Sequence, residues 1–322
     1  MNATQRAVAL GLAAALLQAV MLIAFAWPAT NIKPRDLPVA VAGPQAAAVS
    51  RQLAAHGAAA FDIRTVADES AARQAIADRE VYGAVLTGGQ PVVLIASAAS
   101  PAVAQQLTAI AQQLSGAPAA AVQDVVAADP DDPRGTGFGA MVLPLALSGI
   151  AAGVLLTLLI PSIALRGIGL ATFAISGGLL SMSIVAGWLS LLPGSYLMLA
   201  AIAGLVCFAV AGAVVGLGAA IGRAGIPVAA LAMLLVGNPF SAATSAPELL
   251  PRPWGAVGQL LPPGAAASLL RSEAFFDGAG ASAPLTVLLV WAVAAVALLG
   301  VGIYRSRAAA PVPALEPVPG VG

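Results

Sequence analysis

Between residues 138 and 304 the chain is nearly free of charge: Arg166 and Arg223 are its only charged side chains before Glu248. The runs 138–160, 168–192 and 196–221 are each long enough to cross hydrocarbon about 30 Å thick at about 1.5 Å per residue. A water-soluble fold cannot cover such helices. The whole chain is 60% hydrophobic and 9% charged, against about 25% charged in an ordinary soluble domain, so the bilayer is the solvent these runs require.

A weaker run, 226–246, is interrupted by Gly237-Asn238-Pro239, and 284–304 is the last. Residues 7–27 are also uncharged and follow Arg6. Ala24-Phe25-Ala26 imitates a signal-peptide cleavage site, but this run exceeds the roughly 7–15 residues of such a core and no Lys/Arg cluster precedes it. A retained first helix is expected.

Residues 28–137 have a different character and hold most of the charge. Apolar or alternating runs at 38–42, 61–66, 81–86 and 91–96 predict strands. Helices are predicted at 46–56, at 69–79 behind the cap Asp68, and at 102–114 behind Ser100-Pro101. Thr87-Gly88-Gly89-Gln90 suits a hairpin turn. The predicted order is βαβαββα, and Asp129 to Gly135, with the pair Asp131 and Asp132, reads as a solvated linker.

The expected architecture is therefore an α-helical polytopic membrane protein of about six transmembrane helices, with an extracytoplasmic α/β domain inserted after the first. Its parts are an N-terminal helix at 1–28, the α/β domain at 29–137, five helices within 138–304, and a disordered cytoplasmic tail at 305–322. Arginines set the orientation. With both termini cytoplasmic, Arg6, Arg166, Arg223, Arg305 and Arg307 fall inside and every acidic residue except Glu316 falls outside, as the positive-inside rule asks. Arg166 and Arg223 are placed in loops, because burial at a helix centre costs about 2.5–3.5 kcal/mol.

Residues 238–280 are too apolar for a solvated loop and too rich in proline and glycine to span. Short re-entrant or interfacial helices on the outer face are expected, around Asn238, Pro239, Trp254, Pro262, Pro263 and Gly264. Trp254, Phe275 and Phe276 would sit at headgroup level, with Glu248, Arg252, Arg271 and Glu273 turned to water. Gly212 and Gly216 have the spacing that lets helix backbones approach closely, within one chain or between two.

Catalytic chemistry is not expected. The single lysine, Lys33, lies in the polar region, so no phosphate-binding loop of the G-x-x-x-x-G-K-[ST] kind exists. One cysteine, Cys207, and one histidine, His56, exclude an internal disulfide and Cys/His zinc or nucleophile chemistry. Cys207 reads as a buried apolar residue and His56 as surface. No ionisable residue marks an ion path through the spans. A net charge of zero gives no footprint for nucleic acid. No cofactor and no metal are expected.

The segments PVAVAGP (38–44), VYGAVL (81–86) and GNPFSAATSAPELLP followed by LLPPGA, together with the layout of one helix, an outer domain and five helices, resemble the type 2 ABC exporter permeases. That resemblance implies a permease subunit in the cell membrane, paired as a homodimer or with a similar permease. It also implies re-entrant helices in the outer segment and a separate ATP-hydrolysing subunit docked on the cytoplasmic connections, where Arg166 and Arg223 are the candidate contacts. The related phage-infection-protein-like membrane proteins share the layout, which keeps a non-transporting scaffold or surface-assembly factor as the alternative. The substrate is not legible in the sequence.

Overall fold

The computed structural model describes residues 2–55, 57, 59–88, 91–115 and 121–308. The predicted tail beyond 308, His56, and Gly89 and Gln90 of the hairpin turn lie outside these residues. Helix α1 (Ala3–Thr30) opens the chain behind an Asn2 cap and is exposed along nearly its whole length.

The polar region folds as a five-stranded sheet. Its elements are β1 (Leu37–Ala42), α2 (Ala46–Ala55), β2 (Phe61–Thr65), α3 (Glu69–Ala77), β3 (Gly83–Leu86), β4 (Val92–Ile95), α4 (Pro101–Ser115) and β5 (Ala121–Asp124). The strand order is β2-β1-β3-β4-β5. Only the β3–β4 pair is antiparallel, as a hairpin requires, whereas the neighbours joined through helices run parallel. Strand β5 is absent from the predicted order, which ended at the third helix.

Alternation along β1 divides the core between two faces. Leu37, Val39 and Val41 join Leu53 of α2 and Leu107 of α4 on one face. Ala40 joins Ala72 and Ile76 of α3 on the other. Asp68 caps α3 by accepting from Ala71 N–H, as predicted.

Asp132 corrects the linker reading. It is buried, and its carboxylate accepts from Thr136 Oγ1 at 3.1 Å and Phe138 N–H at 2.8 Å, holding the first turn of α5 (Thr136–Leu159). Next come α6 (Ile163–Met182), continued by a π-helical stretch to Trp188, and α7 (Tyr196–Ile221). Helix α7 is the hub of the bundle: α5, α6, α10 (Pro262–Phe275) and α11 (Ser282–Ala308) all pack on it. Glycine makes these approaches close. A Cβ on Gly178 would stand 2.4 Å from the Ala200 carbonyl oxygen, and one on Gly153 would stand 2.8 Å from that of Ala211.

Among the described residues five helical stretches are long and apolar enough to cross a membrane, the make-up of a helical membrane protein: Ala3–Thr30, Thr136–Leu159, Ile163–Trp188, Tyr196–Gly237 and Ser282–Ala308. The fourth holds what the sequence suggested were two spans. Its helix stops at Gly222, where φ is +74° and favours glycine, and then doubles back. Gly225 abuts Leu217, and Ile226 lies beside Gly218. The returning arm comprises α8 (Gly225–Leu231) and a π-helical stretch, Ala232–Gly237. Its seven plus six residues rise roughly 20 Å at 1.5 Å each, short of a full bilayer core.

Candidate functional site

The sequence points to three places, and the structure separates them into two ends of the bundle and its middle. Gly212 and Gly216 occupy the middle. A Cβ on Gly212 would lie 2.7 Å from Ala295 Cβ, and one on Gly216 would lie 3.2 Å from the Ala295 carbonyl oxygen, so both face α11 of the same chain. Cys207 is buried on α7.

Arg166 and Arg223 lie at the end away from the sheet. Arg166 is not in a loop. Helix α6 starts at Ile163, leaving only Ile160 to Ser162 as the connection, and Arg166 Nε donates to the Ile160 carbonyl at 2.7 Å. Arg223 is exposed in the turn Gly222–Ala224. Arg305 donates to the Ala220 carbonyl, which brings the end of α11 to the same level. No acidic residue accompanies these arginines among the described residues.

The opposite end, beside the sheet, carries the segment 238–280 that the sequence reading assigned to the outer face, built as a turn at Pro247–Leu249, the short helix α9 (Trp254–Gln259) and α10. Asn238 and Pro239 follow the π-helical stretch. Trp254 stacks on Phe240 at 5.0 Å between ring centroids, and Phe240 meets Trp27 of α1 edge-on at 6.4 Å. Pro262 and Pro263 fill the first turn of α10, where proline's missing N–H costs nothing. Gly264 follows because a Cβ there would meet the Gly258 carbonyl oxygen at 2.2 Å.

This segment grips the sheet from both faces. Ala246 and Leu249 complete the core shared by α2 and α4, and Phe276 completes the core under α3. Phe276 is therefore no headgroup anchor; it is 6% exposed, with the Arg79 guanidinium 5.1 Å above its ring. Arg79 also donates to the Ser268 carbonyl at 3.1 Å and to Ser272 Oγ. Tyr82 donates its phenol to Glu248 at 2.8 Å, and Arg252 pairs with Asp36. Arg35 Nη1 donates to the Leu249 carbonyl at 2.6 Å.

Arg271 likewise does not turn to water. It is 6% exposed, donates to the Ala243 carbonyl at 2.9 Å and lies 4.4 Å from the Phe138 ring centroid. Burial, and next the charge of Arg79, push its guanidinium below the ordinary range. Burial lowers Arg79 as well, while Tyr82 and Glu248 pull it back. The Tyr82 phenol is pushed well above its usual value by burial, then by the charge and the hydrogen bond of Glu248.

Sequence reasoning missed this seam. No residue type marks it in the sequence: Arg79 sits with φ of +60° just past the end of α3, a position that usually takes glycine, and Asp78-Arg79-Glu80 holds none. Among the described residues no group of three or more His, Cys, Asp or Glu side chains converges on a point that could hold a metal. No family model matches the chain, and no curated protein or solved structure does.

Proposed function

We propose that this chain is the permease subunit of an ABC-type exporter in the cell membrane, moving its substrate with energy from a separate ATPase. In this reading the chain crosses the bilayer six times. Helices α1, α5, α6, α7 and α11 supply five crossings, and the short arm 225–237 with the outer segment completes the sixth. Both termini are cytoplasmic and the α/β domain is outside. The subunit pairs with a second copy or with a similar permease, and it carries no catalytic site of its own.

The observation that carries this reading is the segregation of charge along the bundle axis. The end away from the sheet presents Arg166, Arg223, Arg305 and Arg307, while every acidic residue described lies in the α/β domain or the outer segment. A basic face of that kind suits an acidic docking surface on an ATPase. Helices that interrupt their own hydrogen bonding at Gly222 and Gly237, and a lidded outer end, suit a path through the membrane.

Purification of the tagged chain in mild detergent, followed by identification of bound chains, tests it. An ATPase is expected, and Arg166→Glu is expected to weaken its retention. Recovery of no ATPase refutes the permease reading.

A second reading has its own support. The connections at the arginine end, Ile160 to Ser162 and Gly222–Ala224, are short, and the sheet domain is tied firmly to the outer segment. A scaffold or surface-assembly factor that presents the domain to a partner would be built this way.

A further inference from the structure

Helix α10 is enclosed on nearly every side: 11 of its 14 residues are buried. Positions three and four apart share one face of a helix, so α10 presents two distinct stripes. The first is Ser268, Ser272 and, just past the helix end, Phe276. The Ser268 carbonyl, the Ser272 hydroxyl and the Phe276 ring all meet Arg79 of the sheet domain. The second is Ala267, Arg271 and Ala274. Ala267 and Ala274 join the core of the transmembrane bundle, and Arg271 lies against the Phe138 ring of α5 and donates to the Ala243 carbonyl.

Both stripes are fixed at their far sides. Phe138 stands in the first turn of α5, where its N–H is held by the Asp132 carboxylate. Arg79 is followed by Tyr82, which donates to Glu248. The two stripes are also tied to one another. Ser268 Oγ donates to Gln259 Oε1 at 2.6 Å, and Gln259 Nε2 donates to the Ser241 carbonyl at 3.0 Å, beside the Ala243 carbonyl that Arg271 holds. Among the described residues no hydrogen bond or ring contact joins Arg79 to Phe138 directly. Their connection runs through α10.

Close-packed interiors transmit strain instead of absorbing it. We propose that α10 is a relay between the sheet domain and the membrane bundle. A load on the domain, such as a bound partner, passes through Arg79 to α10 and through Arg271 to the first turn of α5. A shift of α5 travels the same way back, because a coupling free energy is reciprocal. The relay does not depend on whether the chain transports a substrate or presents its domain to a partner.

Hydrogen–deuterium exchange of the full chain in nanodiscs tests the relay from both ends. Phe138→Leu removes the ring beside Arg271 and leaves Arg79 untouched. Gly178→Ala strains the contact between α6 and α7 instead and controls for general loosening of the bundle. Peptides covering 75–86 should exchange roughly two- to 150-fold faster in Phe138→Leu than in the control, the range of couplings within one contact network. Arg79→Ala should speed exchange at 136–142 by a factor in the same range. Exchange at 75–86 no faster than in the control overturns the proposal, as does an effect of Arg79→Ala that stops at 262–276. In the wild-type chain, 75–86, 262–276 and 136–142 should open as one unit with a shared dependence on urea. Separate dependences overturn the relay even if a variant fails to fold.

Discussion

Arg79 is where local backbone preference and long-range contact oppose one another, so its replacement has a two-part outcome. The side chain contributes two hydrogen bonds from a charged donor, to Ser268 and Ser272, and a stacked contact on Phe276. At about 1.5–3 kcal/mol for each bond and about 0.5–2 for the ring, less a desolvation cost of several kcal/mol for the buried guanidinium, the net loss in Arg79→Ala is about 2–4 kcal/mol. That raises the opening equilibrium between the sheet domain and α10 by roughly 30- to 800-fold, at about 1.4 kcal/mol per factor of ten. Arg79→Gly loses the same contacts but relieves the left-handed backbone at this position, worth about 1 kcal/mol. Hydrogen–deuterium exchange of the full chain in nanodiscs separates the two effects. Both variants should deprotect peptides covering residues 262–280, while the end of α3 should exchange about fivefold more slowly in the glycine variant than in the alanine variant. Unchanged exchange across the seam in both variants refutes the clamp. Identical exchange at the end of α3 refutes the account of the backbone.

Two further outcomes follow from packing. Gly178→Ala, whose Cβ would stand 2.4 Å from the Ala200 carbonyl oxygen, should destabilise the bundle by about 1–3 kcal/mol. Gly167→Ala, with nothing within 4 Å, should not, and thermal melting in detergent compares them. Residues 29–136 should still fold as an α/β domain, because α2, α3 and α4 cover most of both sheet faces, but without the core contributions of Ala246, Leu249 and Phe276; a disordered circular-dichroism spectrum counts against this.

The long helices were legible because uncharged runs need no partner to be recognised, and the bounds expected for α7, 196–221, are those observed. The sheet was largely legible from alternation and turn residues. Strand β5 was not: Ala-Val-Gln-Asp is four residues at a sheet edge, paired only with β4, and an alanine-rich context hides its period. The arm after Gly222 was drawn too long because composition stays apolar past Gly237, where the helix ends. The seam was hidden for a different reason. Arg79 and Ser268 are 189 positions apart and Tyr82 and Glu248 are 166 apart, so Glu248 read as turned to water and nothing in the sequence joined Arg79 to a partner until the fold brought them together.

The account rests on the sheet domain and the arginine end lying on opposite sides of a membrane. Single cysteines at Asp131, Arg166, Arg223 and Arg307, each in a Cys207→Ala background, are exposed in intact cells to an impermeant thiol reagent. Reaction at 131 alone, with the other three labelled only after the membrane is opened, is the predicted result. Labelling of 166 or 223 in intact cells contradicts the account.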